Sequence, residues 1–408
     1  MIRLTSLSST SAAKRIFFEG SNNYSYGGCC TKKSRTTTAA CTVYGAAFSP
    51  ELSGKSYFVA CTSNGLICVW DREGAAEPIM RVEASVYSSS TVFYDIKFIE
   101  ISGDILLVAS GDPGILVYKW SAFLRAMDEH IDGNLILDPI TTFKPSPSPS
   151  SEFTEPVEIN STSYNAVDGL LYGAAGDAFG CYQWDLRSEK LVGTFGRAWN
   201  GHSDYLHDVL SIPTKNNLVL TCGEDGFIGF WDGKERKLIE MIDVQNTMNK
   251  NKGSVTWQVQ NKGFGFSTQQ WSNGSNLWVS SMERNGDWLA AAGGSESGNN
   301  MTLRSGPNSP GFFAIWHLPT RTLNSGFVTP ETYNAITYNQ TLDCFVSGGN
   351  DGRVTFWDST TGVCTGRSWC TPSITYAMSC ITSNMLVGGT GGSLDYFIDR
   401  VKAKTFTT

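Results

Sequence analysis

Three short segments decide the fold: Leu66-Ile-Cys-Val-Trp-Asp71, Phe227-Ile-Gly-Phe-Trp-Asp232 and Arg353-Val-Thr-Phe-Trp-Asp358. Each follows an apolar run and a turn that ends in glycine; these turns are Ser63-Asn-Gly65, Glu224-Asp-Gly226 and Asn350-Asp-Gly352. Two apolar runs around an Asn-Gly or Asp-Gly turn are typical of a β-hairpin. The chain therefore repeats one hairpin, and each of these copies ends in a tryptophan-aspartate pair.

Four looser copies fill the intervals: Ile115-Leu-Val-Tyr-Lys-Trp120, Gly180-Cys-Tyr-Gln-Trp-Asp185, Phe312-Phe-Ala-Ile-Trp-His317 and Leu394-Asp-Tyr-Phe-Ile-Asp399. The chain then has seven aromatic anchors, which are Trp70, Trp120, Trp184, Trp231, Trp316, Trp357 and Phe397. The shortest intervals between anchors match the WD repeat of about 40–45 residues, in which four strands form one propeller blade. Seven anchors predict an all-β fold, a seven-bladed WD-repeat β-propeller.

An inner strand is expected ahead of each anchor. These strands are predicted to begin near Val43, Val92, Glu158, Tyr205, Trp278, Tyr333 and Ile374. The last outer strand has two candidates, because Val401–Phe406 from the C-terminus and Arg15–Glu19 from the N-terminus both suit it. The residues alone leave this choice open.

Polar residues of the fourth copy fit a buried network. His202 follows Gly201, Thr221 lies in the second strand, Asp225 in the turn and Trp231 in the third strand. In WD repeats these four residue types form a chain of hydrogen bonds from indole to hydroxyl, imidazole and carboxylate, which satisfies buried polar groups. Blade six has three members of such a network and no histidine; they are Ser347, Asp351 and Trp357. A structural role is favoured over a catalytic His202–Asp225 dyad.

The propeller is predicted to cover residues 43–408, after a Ser/Thr-rich segment at 1–42 that is expected to be partly disordered. Long intervals predict insertions near 121–157, 246–277 and 295–311. The first is expected to begin with a short helix at Ser121–Glu129, with Ser121 as its N-cap, followed by the Pro/Ser linker Lys144–Ser151. The other two are expected to be polar surface loops.

Composition excludes several classes of protein. The 408 residues carry a net charge of −7, which argues against a basic nucleic-acid-binding domain. The sequence contains no stretch of about 18 uncharged apolar residues, so no membrane span is predicted. The first 18 residues lack the apolar run of a secretory signal, although their basic, acid-free composition also fits an organelle transit peptide. Eleven cysteines without a CxxC pair then indicate reduced thiols.

Motifs for chemistry are missing from the sequence. It contains no phosphate-binding GxxxxGK[ST] loop, no G-x-S-x-G nucleophile elbow and no Cys/His cluster with zinc spacing. No catalytic, cofactor or metal site is predicted, and no group of acids or histidines could be assigned to the central channel. The sequence favours a non-enzymatic protein that presents its surface to partners.

Three stretches resemble one family of WD-repeat proteins. They are Gly201-His-Ser-Asp-Tyr-Leu-His207 with the Gly-Glu-Asp-Gly226 turn, Val108–Asp112 with Tyr118–Leu124, and Trp288–Gly294 with Ile315–Leu318. All three are similar to the sixth subunit of the THO complex, and the blade count agrees with that family. The insertion at Ser295–Pro310, the loop at Asn246–Asn276 and the Ser/Thr-rich N-terminus depart from its pattern.

The resemblance implies a nuclear, non-catalytic subunit of the THO/TREX assembly, which couples transcription to mRNA packaging and export. Its expected partners are the coiled-coil fifth and seventh subunits, and RNA would be contacted only through the assembly. No cofactor or membrane association is implied.

Two alternatives stay open. Trp184-Asp185-Leu186-Arg187 is a WD-x-R box, which resembles those of substrate receptors of cullin-4 ubiquitin ligases. In that role Asp185 and Arg187 would contact the ligase adaptor, whereas in a purely structural role Arg187 covers the edge of its blade. The other alternative is an unrelated WD-repeat scaffold.

Overall fold

The structure is a computed structural model, and it describes residues 41–51, 54–84, 91–129, 134–145, 157–176, 178–196, 201–214, 217–250, 276–296 and 310–408. These residues form seven small sheets, one for each predicted blade. Six sheets have four strands and one has five. The fold is therefore the predicted all-β, seven-bladed β-propeller.

The first four blades use strands β1 to β17. Blade one consists of β1 (Val43–Phe48), β2 (Tyr57–Thr62), β3 (Leu66–Asp71), β4 (Met80–Ala84) and β8 (Asn134–Leu137). Blade two consists of β5 (Phe93–Ile101), β6 (Asp104–Gly111), β7 (Gly114–Lys119) and β9 (Thr141–Phe143). Blade three consists of β10 (Ile159–Asn165), β11 (Leu170–Ala175), β12 (Gly180–Asp185) and β13 (Lys190–Phe195). Blade four consists of β14 (Leu206–Ile212), β15 (Leu218–Gly223), β16 (Phe227–Asp232) and β17 (Lys237–Asp243).

The last three blades use strands β18 to β29. Blade five consists of β18 (Asn276–Asn285), β19 (Trp288–Glu296), β20 (Gly311–His317) and β21 (Thr322–Thr329). Blade six consists of β22 (Tyr333–Asn339), β23 (Cys344–Gly349), β24 (Arg353–Asp358) and β25 (Cys364–Trp369). Blade seven consists of β26 (Thr375–Ile381), β27 (Asn384–Gly389), β28 (Ser393–Ile398) and β29 (Val401–Thr407). Within the described ranges, two short helices lie between strands: α1 (Trp120–Asp128) and α2 (Val244–Lys250).

The inner strands close the ring. Each of β1, β5, β10, β14, β18, β22 and β26 contacts the inner strands of both neighbouring blades, and β1 contacts β26. They begin within two residues of the predicted positions. The outer strand of blade seven is β29, so the C-terminal candidate takes this place. The competing Arg15–Glu19 lies outside the described residues.

Packing between blades makes the core. A typical cluster joins Phe230 and Ile242 of blade four to Val279 and Phe312 of blade five, all nearly inaccessible to solvent. Burial of one such side chain contributes about 1.5–3 kcal/mol. The alternation of strand residues supplies apolar groups to both faces of each blade, and this holds neighbouring blades at fixed positions around the channel.

The interval 121–157 was expected to be an insertion, and this is wrong for part of it. Thr141–Phe143 is the outer strand of blade two, and Asn134–Leu137 pairs in parallel with β4 of blade one, with Val82 opposite Leu135. The chain therefore leaves blade two, adds a strand to blade one and returns. Strands of three and four residues carry too little periodicity to be recognised in a sequence.

Helix α1 confirms the predicted short helix but not its cap. The helix begins at Trp120, Lys119 occupies the N-cap position, and no side chain caps it. Ser121 therefore lies inside the first turn. Trp120 and Phe123 are fully buried and stack at 5.3 Å between ring centroids, and this packing outweighs the capping preference of serine.

The other predicted insertions are described only at their ends. The polar stretch from Asn246 begins inside α2, whose Val244 and Met248 are buried, rather than as a loop. Residues 297–309 connect β19 to β20, and Ser295 N donates to Pro310 O (2.9 Å) at the base of this connection. Residues 1–40, 146–156 and 251–275 lie outside the described part of the chain.

Candidate functional site

The predicted blade-four network forms one chain of hydrogen bonds. Trp231 Nε1 donates to Thr221 Oγ1 (2.7 Å), which lies 2.7 Å from His202 Nε2. His202 Nδ1 lies 2.9 Å from Asp225 Oδ2. If the indole N–H donates to the hydroxyl and the hydroxyl to Nε2, then Nδ1 carries the proton that the carboxylate accepts. Every polar group is then satisfied with a neutral imidazole.

This network leaves no room for a substrate. The side chains of His202 and Asp225 are 0% and 4% exposed. A Cβ at Gly229 would lie 2.6 Å from Trp231 Nε1 and 2.8 Å from Thr221 Oγ1, so glycine is needed where the two side chains meet. The arrangement fixes the register of blade four and offers no reacting surface.

Blade six brings together only two of its three predicted members. Trp357 Nε1 donates to Ser347 Oγ at 2.8 Å. Asp351 instead accepts Arg353 N (3.1 Å) and lies 3.7 Å from Arg367 Nη1. Without a histidine between them, the hydroxyl and the carboxylate belong to separate groups.

Arg367 is the centre of a second group, here called the blade-six cluster: Glu331, Tyr333, Asp351 and Arg367. Glu331 pairs with Arg367, and Tyr333 OH donates to Glu331 Oε1 (2.9 Å). Burial raises the pKa of both the Glu331 and the Asp351 carboxyl, and the Arg367 charge opposes that rise. Sequence analysis missed this cluster, because its members come from three different segments.

The five other predicted anchors can be compared with Trp231 and Trp357 by their positions in the third strands of their blades. Trp70, Trp184, Trp316 and Phe397 are penultimate in their third strands, as Trp231 and Trp357 are. In blade two this position belongs to Tyr118, which pairs with Leu107 as Trp231 pairs with Val219. Trp120 lies two residues further on, in α1, so its assignment as the strand anchor is wrong. The sequence Tyr118-Lys-Trp120 contains two aromatic residues, and the spacing of the repeats alone favoured the larger one, tryptophan, as the anchor.

The WD-x-R box lies at the turn between β12 and β13. Asp185 accepts Arg187 N at 2.8 Å and Ser188 Oγ at 2.9 Å, and these bonds lower the pKa of its carboxyl. Asp71, Asp232 and Asp358 accept backbone N–H groups in the same way in their own turns. Asp185 is therefore a turn residue, whereas the Arg187 side chain is exposed.

A bulge interrupts every inner strand at the same place. The bulged residues are Tyr44, Tyr94, Asn160, His207, Ser280, Asn334 and Tyr376. All seven line the central channel, a cavity of about 820 Å³. Three of them donate to a carbonyl of the next inner strand: Asn160 to Leu206 O (2.7 Å), Ser280 to Tyr333 O (2.6 Å) and Asn334 to Thr375 O (3.0 Å). The bulges thus connect blades around the channel.

The channel also holds a group of charges, here called the channel cluster: Asp95, Lys97, Asp208 and Glu283. Lys97 Nζ lies 3.1 Å from Asp95 Oδ2. Asp95 accepts Thr162 N (2.8 Å), and Asp208 accepts Met282 N (2.8 Å), so each carboxylate connects its blade to the next one. Three carboxyl groups face one ammonium group.

Burial shifts the pKa values of this cluster. It raises the pKa of Glu283 to about 7, with a further contribution from the negative charge of Asp208. Burial also raises the pKa of Asp208, against the opposing effect of Lys97. Burial alone would lower the pKa of Lys97, but Asp95 and Asp208 outweigh it and the pKa is raised.

Sequence analysis did not find this cluster, although a signal exists. Phe93-Tyr-Asp-Ile-Lys97 alternates charged and apolar residues after the bulge, which places Asp95 and Lys97 on the same side of β5. Asp208 and Glu283 follow the bulges of β14 and β18 by one and three residues. The register of the bulges was needed to see that these residues face one another.

Two further searches concern the described residues. None of their His, Cys, Asp and Glu side chains form a group of three or more that could hold a metal ion. No helix within the described ranges is long and apolar enough to cross a membrane.

Comparisons with known proteins agree with this architecture. The WD40 family (WD domain, G-beta repeat) matches residues 190–232, from β13 to the end of β16. THO complex subunit 6 of Arabidopsis thaliana is 28% identical over 247 residues, which are 54% of this chain and 66% of that protein. The THO complex subunit 6 homologs of Rattus norvegicus and Danio rerio are each 23% identical, over 76% and 87% of this chain and 75% and 94% of theirs. The resemblance predicted from blades two, four and five is confirmed.

Proposed function

We propose, from its similarity to THO complex subunit 6 proteins and its WD-repeat propeller, that this chain is a non-catalytic scaffold subunit of a nuclear THO/TREX assembly. In this role it couples transcription to mRNA processing and export. The observation that carries the proposal is similarity to THO complex subunit 6 over most of a seven-bladed propeller. A buried polar network that fixes a blade, rather than reacting, suits a scaffold.

The proposed partners are other THO subunits, with the coiled-coil fifth and seventh subunits as the specific candidates. RNA is contacted only through the assembly, in keeping with the net charge of −7. An acidic chain gains little from phosphate contacts, which depend on clustered lysine and arginine.

Affinity purification tests this role. The tagged full chain is incubated with nuclear extract at low salt, and the recovered proteins are identified by mass spectrometry. Recovery of the THO subunits is expected for the wild type, and loss for Trp231→Ala, which removes a fully buried anchor. Absence of THO subunits from the wild-type sample would contradict the proposal.

A second candidate function rests on the exposed Arg187. It makes this chain a substrate receptor that contacts the adaptor of a cullin-4 ubiquitin ligase through Arg187, with Asp185 shaping the turn. The two roles do not exclude each other.

Arg187→Ala separates the two roles in the same purification. The ligase adaptor should be lost while the THO subunits are retained, since the substitution leaves the Asp185 turn bonds in place. Lys234→Ala, at the corresponding turn of blade four, is the matched control, because Lys234 N also donates to the aspartate of its turn. Unchanged adaptor recovery with Arg187→Ala would refute the receptor role at this box.

A further inference from the structure

Neighbouring blades meet near the rim through a recurrent aromatic contact. A phenylalanine in the outer strand of one blade packs against the anchor tryptophan of the next blade. The pairs are Phe143 with Trp184, Phe195 with Trp231 and Phe327 with Trp357, at 5.8, 5.6 and 5.9 Å between ring centroids. The same contact closes the ring, because Phe406 of β29 lies 6.4 Å from Trp70 and 4.7 Å from Phe58 of blade one. Phe406 is completely buried there.

The contact between blades seven and one, here called the closing interface, differs from the others in its covalent connections. All other neighbouring blades follow each other along the chain, and β8, which comes after most of blade two, also pairs in blade one. Blades seven and one stand at opposite ends of the strand order, and the described sheets have no strand in common between them. The closing interface therefore depends on non-covalent contacts.

On the outer side of the closing interface, β29 contacts the turn between β3 and β4 of blade one. Thr407 N donates to Ala76 O (3.1 Å), and Thr407 Oγ1 donates to Glu77 Oε1 (3.2 Å). Lys404 Nζ donates to Gly74 O in the same turn. Because Lys404 and Thr407 lie on either side of Phe406 in the strand, these bonds hold the phenylalanine against blade one.

On the inner side of the closing interface, the bulged Tyr376 contacts Tyr44 of blade one edge to face, at 5.6 Å between ring centroids. The two blades also form an isolated backbone bridge between Thr42 and Thr390. These contacts can separate while the strand pairing inside each blade is kept, because each blade forms its own sheet.

A connection along the chain limits how far two blades can separate. Phe195 of blade three and Tyr205 at the start of blade four are only ten residues apart in sequence, so the two surfaces stay close to each other after any opening. Blades seven and one have no such limit. Parts of a fold with fewer constraints open at a lower free energy than the whole fold unfolds.

We propose that the ring opens reversibly at the closing interface and that Phe406 is the residue that keeps it closed. In the open state blade seven moves away from blade one, each blade keeps its own sheet, and the side of the channel between β26 and β1 meets solvent. This inference does not rest on the proposed function, because it concerns the packing of the propeller alone.

Two cysteines of blade one distinguish this opening from unfolding of the blade. Cys68 lies in the closing interface, whereas Cys61 lies on the other face of blade one, against blade two. Both residues are 0% exposed, and burial raises the pKa of both thiols, so neither reacts while it is covered. Cys181, buried between blades three and four, is the matched control.

The purified full chain is treated with iodoacetamide under native conditions, and modification of each cysteine is followed over time by mass spectrometry of its peptides. Cys68 should react about tenfold faster than Cys61 and Cys181, because opening at the closing interface has a lower free energy than unfolding of a blade. Equal rates for the three cysteines, including no reaction of any of them, overturn the proposal.

Variants connect the opening to Phe406. Phe406→Ala should speed the modification of Cys68 by a further factor of about ten and leave Cys61 and Cys181 unchanged. Phe195→Ala is the matched control, because Phe195 packs against Trp231 in the same way, and it should leave Cys68 unchanged. An unchanged Cys68 rate with Phe406→Ala overturns the role of this residue.

A cross-linked chain keeps the test decisive if Phe406→Ala does not fold. Ala76→Cys and Thr407→Cys together place two thiols where the backbones are hydrogen-bonded, and diamide oxidises them to a disulfide. The disulfide should slow the modification of Cys68, and its reduction should restore the wild-type rate. Modification that continues at the wild-type rate in the cross-linked chain overturns the proposal.

Discussion

The buried polar networks of blades four and six start from the same kind of hydrogen bond and then differ. In both, the indole N–H of the anchor donates to a hydroxyl, at 2.7 Å in blade four and 2.8 Å in blade six. Blade four continues through His202 to Asp225. Blade six has no histidine, and its aspartate pairs with Arg367 in an ionic cluster. The shared indole–hydroxyl hydrogen bond fixes the register of the strands. The other buried polar groups of a blade can find their partners in more than one way.

The largest effect should come from the anchors themselves. Trp231→Ala and Trp357→Ala each remove an indole that is almost completely buried, so each should lower the free energy of unfolding by about 3–5 kcal/mol. Urea denaturation followed by fluorescence measures this, and similar losses would show that the two blades rely equally on their anchors. An unchanged midpoint for either variant would contradict the assigned burial.

Arg367→Met should have the next largest effect, and only blade six should respond. It leaves Glu331, whose side chain is 5% exposed, without its cation, and breaking such a pair costs about 3 kcal/mol. Adding Glu331→Gln should recover part of the loss, because the buried charge is then removed. Equal stability of the single and double variants would argue against ionic pairing in the folded chain.

Removal of the hydroxyl distinguishes the two networks directly. Thr221→Val leaves both the Trp231 N–H and His202 Nε2 without a partner, which should cost about 2–3 kcal/mol. Ser347→Ala leaves only the Trp357 bond unmade and should cost about 1 kcal/mol. Equal losses in thermal or urea unfolding would mean that the histidine adds nothing to blade four.

The last prediction concerns pH and lies outside both blades. Glu283 has a pKa of about 7 in the folded chain against an ordinary 4.5. Between these values the folded state retains a proton that the unfolded state has lost, so stability should fall as the pH rises from about 5 to 7. Melting temperatures of wild type and Glu283→Gln should converge below this window and separate above it. Parallel profiles would contradict the raised pKa.

The sequence predicted the repeating parts of the molecule well. Hairpins with Asn-Gly or Asp-Gly turns located the blades, and residue types located the blade-four network, since both depend on local patterns. Trp120 was misassigned because two aromatics stand two residues apart and only strand pairing distinguishes them. The channel cluster stayed hidden because its members meet across blades, where no local pattern connects them.

The parallel strand β8 has a consequence for how the chain acquires its shape during synthesis. Blade one cannot gain its fifth strand until residues 134–137 have left the ribosome, after most of blade two. The first two blades should therefore consolidate as one cooperative unit, and a nascent chain that stops after β7 should remain open to proteases at its β4 edge.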